Sequence, residues 1–507
     1  MAGVVNAHFA GMPMTEVVPN AAKVSGVSKS SILTGRRRVR FQAQTGTTAS
    51  PGNICQFVLA DSTCLLDAQS VVFSANVQVT GATNASLDDG PAWCRRVQVT
   101  FNGSLLEDLD QAHRNANALV YAGASKSWIE SAGSFAGYWK DNAELGSSTS
   151  AYVTVPASAA PAASTIGAYS RINGDVTSEV TNAATRYYNT TVPTGSGYLN
   201  GMSIAVPLGI LSGVFRTQQY LPLSQMGEMV LQLTLAQVSE AIYQPSSSGT
   251  PSYTLTDIYI EADLVTPNYL YGQMLNMICQ DENEPGLVIP VESTVVSQGQ
   301  SISAANGDQS IITSRATNNL RKIVVTACPT DALTSYTYPS VSCFPNALFQ
   351  QVQWRIGSLY FPSQPANSLG RAFWMTVGSF NNSEPLNVYD GVINWNTYGL
   401  STTFSGTGSG LTPSATAGAV YAPAIGNTGQ LAYNDKFVLA YNFDNFKGGE
   451  TLDADGVSIL GQSGAQIVTV IRNNFNAVSS SGLTPTVSLL ATKYLHIKNG
   501  ALKIVGA

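Results

Sequence analysis

Short runs of alternating apolar and polar residues dominate the sequence and predict antiparallel β-strands with one buried face. Every second residue is apolar from Met229 to Leu235, and the same period of two continues from Ile258 to Leu264. The run Val97 to Phe101 alternates in the same way and ends at Asn102-Gly103, a dipeptide typical of tight hairpin turns. Many short strands with turn residues between them are typical of β-sandwiches and barrels. The pattern therefore predicts an all-β protein.

Helical spacing is sparse, and two long stretches read as loops. The helical candidates are Leu109 to about Asn142, and Asn268 to Cys279 near the middle of the chain. Residues 146–196 and 405–429 consist almost entirely of small and polar residues. Loops of this length are uncommon in compact domains unless they carry function or project outward. We therefore expect short helices and two projecting loops, one in each half of the chain.

A weak internal repeat relates the two halves. The stretch VQVTFNGSL at Val97–Leu105 resembles VQWRIGSL at Val352–Leu359. Three further strand signals recur in the same order and with similar spacing, pairing residues 204–208 with 437–441, 229–235 with 466–471, and 255–264 with 489–497. A chain of 507 residues also exceeds what one hydrophobic core usually serves. The repeat therefore predicts two β-sandwiches of the same strand order in tandem.

Composition suggests a surface that neighbouring copies cover. Charged residues make up 11 % of the chain, whereas ordinary soluble domains have roughly 25 %, and the cores of protein interfaces are depleted in charge. A secreted β-protein such as an adhesin or lectin would share this composition. However, the start of the chain lacks a basic segment followed by an apolar one, as a signal peptide requires. The six cysteines contain no C-x-x-C pair and are expected to be reduced and buried, in a protein made in a reducing compartment.

Positive charge is concentrated near the start of the chain. The first fifty residues contain one acid, Glu16, and six basic residues: Lys23, Lys29, Arg36, Arg37, Arg38 and Arg40. Because the whole chain has a formal net charge of −6, the remainder is acidic. These six residues are the candidate site, a basic arm that contacts something anionic or straps an assembly together. The alternative is that the arginine run is the solvated start of the first strand.

Motifs for catalysis, metal binding or cofactor binding were not found. The three histidines, His8, His113 and His496, have no second histidine or cysteine at metal-ligand spacing. The sequence contains no nucleophile elbow, zinc-protease motif or phosphate-binding loop. Asp453-Ala-Asp455-Gly456 reads as an ordinary turn, since position 464 is glycine where a calcium loop needs glutamate. We therefore expect a non-enzymatic protein with no catalytic, cofactor or metal site.

The sequence resembles the double jelly-roll major capsid proteins of tailless icosahedral DNA viruses, the lineage that includes adenovirus hexons. It looks closest to those of virophages and polinton-like viruses. The resemblance covers about residues 36–507 and depends on the stretches Arg38–Asp61, Gly213–Leu223, Gln353–Pro365 and Val487–Val505. It implies two tandem eight-stranded antiparallel jelly rolls with short helices and long projecting loops.

The resemblance also implies a domain plan and a function. The plan is an N-terminal arm (1–35), a first jelly roll (36–266), a connector (267–286) and a second jelly roll (287–507). The implied function is a virion subunit that forms homotrimeric, pseudo-hexameric capsomers. Its partners would be neighbouring capsomers, penton and minor capsid proteins, with the N-terminal arm at the inner surface against genome or an internal membrane. The alternatives are a single jelly-roll coat protein with a protruding domain and a glycan-binding β-sandwich adhesin.

Overall fold

The structure is a computed structural model that describes most of the predicted strand regions. The described residues are 33–82, 86–133, 135–138, 202–243, 249–280, 286–301, 307–313, 317, 319–333, 340–342, 344, 349–380, 391–393, 403–405, 412–414, 436–443, 457, 467–473, 483–498 and 501–505. Among these residues, no helix is long and apolar enough to cross a membrane.

The strands divide into two sets that follow one another along the chain. The first set, which we call the first lobe, contains β1 (Leu33–Gln42), β2 (Thr48–Ala49), β3 (Ile54–Leu59), β4 (Leu65–Asp67), β5 (Val72–Ala82), β6 (Ser86–Leu87), β7 (Cys94–Phe101), β8 (Ser104–Leu109), β9 (Met202–Pro207), β10 (Tyr220–Pro222), β11 (Met229–Leu235), β12 (Ile242–Tyr243) and β13 (Gly249–Pro267). The second lobe contains β14 (Leu287–Gln298), β15 (Gly307–Thr313), β16 (Leu320–Pro329), β17 (Phe349–Ile356), β18 (Leu359–Ala366), β19 (Thr403–Ser405), β20 (Thr412–Ser414), β21 (Leu439–Asn442), β22 (Ile467–Asn473), β23 (Leu483–Lys498) and β24 (Ala501–Val505).

Three helices of twelve residues accompany the strands: α1 (Ala112–Gly123), α2 (Tyr269–Gln280) and α3 (Leu369–Phe380). Shorter helical turns lie at Ala68–Ser70, Lys126–Trp128, Ile129–Gly133, Leu208–Leu211, Gly213–Arg216, Leu223–Met226, Val238–Ala241 and Thr330–Leu333. The two sequence-predicted helical stretches are confirmed where they are described, as α1 with its following turns and as α2. Helices α1 and α3 occupy equivalent places, because each follows its lobe's β7–β8 or β17–β18 hairpin.

Strand pairing shows that each lobe is a jelly roll. In the first lobe one sheet has the order β1-β13-β5-β9 and the other β3-β11-β7-β8. In the second lobe the corresponding orders are β14-β23-β16-β21 and β15-β22-β17-β18. If the eight main strands of each lobe are counted along the chain, strands 1, 8, 3 and 6 form one sheet and strands 2, 7, 4 and 5 the other. Because these orders agree in the two lobes, all four strand pairings of the sequence repeat are confirmed.

The alternating sequence pattern explains why these strands form. In β11 the side chains Met229, Leu231, Leu233 and Leu235 are buried, and the three residues between them are partly exposed. Asn102 and Gly103 both have positive φ angles, of 44° and 78°, which the tight turn between β7 and β8 requires. The five described cysteines are buried and free, as predicted, and Cys343 lies outside the described residues.

The two predicted long loops fall largely outside the described residues. Residues 146–196 lie in the undescribed range 139–201. Within 405–429 the structure shows part of a small hairpin, in which β19 pairs with β20. Apolar side chains from both lobes form one continuous core, so the lobes are packed against each other.

Candidate assembly site

The surface between the two lobes, which we call the seam, shows how one jelly roll of this chain packs against the other. The first lobe contributes β8, α1 and the turn Gly213–Arg216, and the second lobe contributes β14 and β23. The Lys493 ammonium of β23 donates to the backbone carbonyl of Leu106 in β8 at 2.9 Å. A β-carbon on Gly213 would lie 2.5 Å from the Glu292 carbonyl oxygen, so this close approach requires glycine. The first lobe thus packs closely on the outer side of the second lobe's sheet.

A buried carboxylate lies in the middle of this contact. Glu107 of β8 accepts a hydrogen bond from the Thr294 backbone amide at 2.8 Å and another from the Ser212 hydroxyl. Nearby, Arg216 forms an ion pair with Glu292 of β14. Burial raises the pKa of Glu107, although the hydrogen bonds from Ser212 and Thr294 and the charge of Arg216 oppose the increase. Burial also lowers the pKa of Lys493, against the attraction of Glu107.

The raised pKa of Glu107 predicts a specific pH dependence of stability. Between the ordinary glutamate pKa and the higher folded value, the unfolded carboxyl loses its proton before the folded one does. Stability from this group is therefore complete at low pH and declines as pH increases through that window. Relative to wild type, Glu107→Gln should gain unfolding free energy as pH rises from 4 upward, measured by urea denaturation. Ser212→Ala should extend the decline to higher pH than in wild type, because the Ser212 hydroxyl lowers the pKa of Glu107 and its loss raises that pKa further; parallel pH curves for all three proteins would contradict this account.

A second polar cluster binds a segment of the second lobe, Ser340–Ser342, to the first lobe. The buried Asp88 carboxylate accepts from the backbone amides of Val341 at 2.9 Å and Ser342 at 3.1 Å, and also from the Ser342 hydroxyl. From α1, Arg114 Nε donates to the Ser340 carbonyl at 3.1 Å, and Asn117 Nδ2 donates to the Val341 carbonyl at 3.1 Å. The segment is therefore held mainly through its backbone, as a bound peptide would be.

The seam changes the burial of the elements that form it. The first ten residues of β23 are buried without a break, whereas β13, the equivalent strand of the first lobe, is buried mainly at alternate positions. Ten of the twelve residues of α1 are buried, but only four of α3. The sheet face is therefore covered in the second lobe and open in the first. The helix is covered in the first lobe and open in the second.

These open surfaces form two faces, one on each lobe. We call the outward side of β1 and β13 in the first lobe the back face. We call the outward side of β18 and α3 in the second lobe the front face. Its exposed large side chains are Leu359 (57 % exposed), Tyr360 (48 %) and Trp374 (60 %). Arg371 and Trp374 of α3 occupy the same helical positions as Arg114 and Asn117 of α1, which bind the second lobe.

Four of the six candidate site residues lie on the back face or at its edge. Arg36, Arg37, Arg38 and Arg40 belong to β1 rather than to a preceding arm, and Lys23 and Lys29 lie outside the described residues. Each of the four arginines is paired with acids: Arg36 with Asp67 and Asp263, Arg37 with Asp61, Arg38 with Glu261, and Arg40 with Asp257, at 2.6–2.9 Å. The Arg40 guanidinium also lies 3.5 Å from the ring centroid of Tyr259. The structure thus shows a mixed-charge ladder here; an inner-surface role for the six residues stays a prediction.

The strand order and the paired lobes define the fold. The chain has the double jelly-roll fold found in viral major capsid proteins, as the resemblance implied. No family model and no curated protein matches the sequence.

Solved structures that share the fold come from a virus and a virophage. PBCV-1 VP54, fitted into a reconstruction of the virophage Sputnik, is 10 % identical with a TM-score of 0.52, over 95 % of this chain and 99 % of that one. The PBCV-1 virus capsid gives 10 % identity and a TM-score of 0.53 over the same shares of the two chains. The Sputnik virophage structure gives 10 % identity and a TM-score of 0.52, over 96 % of this chain and 92 % of that one. At this identity the likeness establishes the fold.

Proposed function

We propose that this chain is a major capsid protein whose copies join head to tail into trimeric, pseudo-hexameric capsomers of an icosahedral virion. The observation that carries the proposal is the pair of complementary open faces. Within one chain, the β8–α1 side of the first lobe covers the sheet of the second lobe that contains β14 and β23. The front face presents the equivalent β18–α3 side, and the back face presents the equivalent sheet. A neighbouring copy can therefore repeat the seam between chains.

Head-to-tail contacts form a closed ring when the rotation between copies completes a circle, and closed symmetry is the usual way that proteins bury such faces. Three chains contribute six similar lobes, which is the number that a near-hexagonal tile needs. The low charge of the chain agrees with this use, because interface cores are depleted in charged residues. In this scheme the domain plan 1–35, 36–266, 267–286 and 287–507 describes an arm, two lobes and a connector.

The role we propose is structural rather than enzymatic, and the proposed location is the virion. Neighbouring capsomers, penton proteins and minor capsid proteins would be its partners. The two jelly rolls do not fit a single jelly-roll coat protein with a protruding domain, since both lobes share the full strand order. The described residues nominate no sugar site that would favour an adhesin.

Light scattering after size-exclusion chromatography tests the proposal. We expect a particle with three times the chain mass of 53.4 kDa, and negative-stain images with a hexagonal outline. A folded protein that remains monomeric at micromolar concentration would contradict the proposal. A monomer that also binds a defined sugar on a glycan array would favour the adhesin instead.

A further inference from the structure

Connector helix α2 has an exposed side that is unusual for a helix in water. Its residues Leu270, Met274 and Met277 recur at helical spacing and are 69 %, 48 % and 66 % exposed. Tyr269 beside them is 73 % exposed. The helix contains no charged residue, and the other exposed side chains are Gln273, Asn276 and Gln280. An exposed helix surface normally carries charged residues, so this side has the composition of a contact surface.

The opposite side of α2 packs against the body of the protein, next to the first strand. Leu275 packs with Leu65 and Val265 in a small apolar cluster, and Leu33 packs against the same cluster. Leu33 is the first residue of β1, so residues 1–32 enter the body of the protein beside α2. The segment before Leu33 is therefore attached to the body of the protein at a residue that packs beside α2.

The first eighteen residues have the composition that this surface would bind. Eleven of them are apolar, and Glu16 is their one charged side chain. A chain of 32 residues can span roughly 100 Å when extended, whereas a helix of twelve residues is about 18 Å long. The segment before Leu33 is thus long enough to lie along α2. A membrane surface fits less well, because helices that lie in membrane interfaces carry lysine and arginine on their polar side.

We propose that the uncharged side of α2, formed by Tyr269, Leu270, Met274 and Met277, is the docking site for the apolar N-terminal segment of the same chain. Docking shields these four side chains from water. It also places the N-terminal segment against the connector between the lobes. This inference goes beyond capsomer formation and does not depend on it.

Methionine oxidation tests the proposal, because oxidation by hydrogen peroxide follows exposure of the sulfur. The full chain is compared with a variant that lacks residues 2–30, and oxidation of each methionine is followed by mass spectrometry. We expect Met274 and Met277 to oxidise about tenfold more slowly in the full chain than in the deletion variant. Met375, which is partly buried in α3, serves as the internal control and should oxidise at the same rate in both.

Two full-length variants separate apolar docking from charge. The triple variant Val4→Ser, Val5→Ser, Phe9→Ser should lose the protection, and the pair Lys23→Gln, Lys29→Gln should keep it. Equally fast oxidation of Met274 and Met277 in the full chain and the deletion variant would overturn the proposal. Equally slow oxidation in both would also overturn it, since another copy would then cover the helix. The particle mass, measured on the same samples, reports capsomer formation separately.

Discussion

Replacing Asp88 with alanine should lower the free energy of unfolding by about 3–5 kcal/mol, as expected when a buried, hydrogen-bonded charged group is removed. The side chain is 1 % exposed and accepts three hydrogen bonds from Val341 and Ser342. Its loss leaves two backbone amides and a hydroxyl of the second lobe without this acceptor in a buried place. Urea denaturation measures the loss, and hydrogen exchange should become faster at the amides of Val341 and Ser342.

Asp108→Ala is the matched control for this prediction. Asp108 also accepts two hydrogen bonds, both from Arg96 at 2.7 Å, but its side chain is 34 % exposed. Exposed pairs of this kind contribute about 0–1 kcal/mol. Asp88→Asn keeps one acceptor oxygen and should lie between wild type and Asp88→Ala. Equal losses for Asp88→Ala and Asp108→Ala would show that Asp88 does not hold the lobes together.

The strands were predictable because their pattern is local. In β13 the buried residues include Ile258, Ile260, Ala262 and Leu264, the positions that the period of two selects. A residue in a half-buried strand takes its side from its neighbours two positions away, so a single stretch contains the information. The internal repeat predicts that both halves share one strand order, but the order itself is visible only in the folded sheets.

The ion pairs and the seam were not predictable, because their partners are far apart in the sequence. Arg36 and Asp263 are 227 positions apart in the sequence, and the strand register that aligns them is visible only in the folded sheet. Because the nearby sequence contains one acid, the arginine run by itself indicates a region of net positive charge. Asp88 and Asn117 likewise contact Val341 through its backbone, which leaves no trace in the identity of the partner residue.

The seam also explains an irregular part of the sequence pattern. The stretch LTPTVSLLAT at the start of β23 alternates polar with apolar residues in part, yet all ten residues are buried. Its polar positions, such as Thr486 and Ser488, are covered as well as its apolar ones. Alternation predicts a half-exposed strand, but the second side of β23 is covered by the first lobe. In the proposed capsomer, the same reasoning predicts that a neighbouring copy covers the outward side of β13.

Replacing Trp374 with glutamate should convert the proposed trimers into monomers at micromolar concentration. Trp374 is 60 % exposed on α3, at the helical position where α1 uses Asn117 to hold the second lobe. Tryptophan is among the residues that contribute most to binding, at about 2 kcal/mol or more for each contact. A buried unpaired carboxylate adds a further cost, so we expect each contact to weaken by about a hundredfold or more, since every 1.4 kcal/mol is tenfold. Analytical ultracentrifugation measures the shift.

Phe135→Glu is the control, because Phe135 is a similarly exposed aromatic, at 65 %, outside the front and back faces. It should leave the trimer intact. The Trp374→Glu monomer should keep the wild-type circular dichroism spectrum, since Trp374 lies on the exposed side of a helix whose buried residues are Ala372, Thr376, Val377 and Ser379. Trimers in both variants, or monomers in both, would mean that the front face is not the surface through which the seam repeats between chains. Dissociation by Trp374→Glu alone would identify α3 as the intermolecular counterpart of α1.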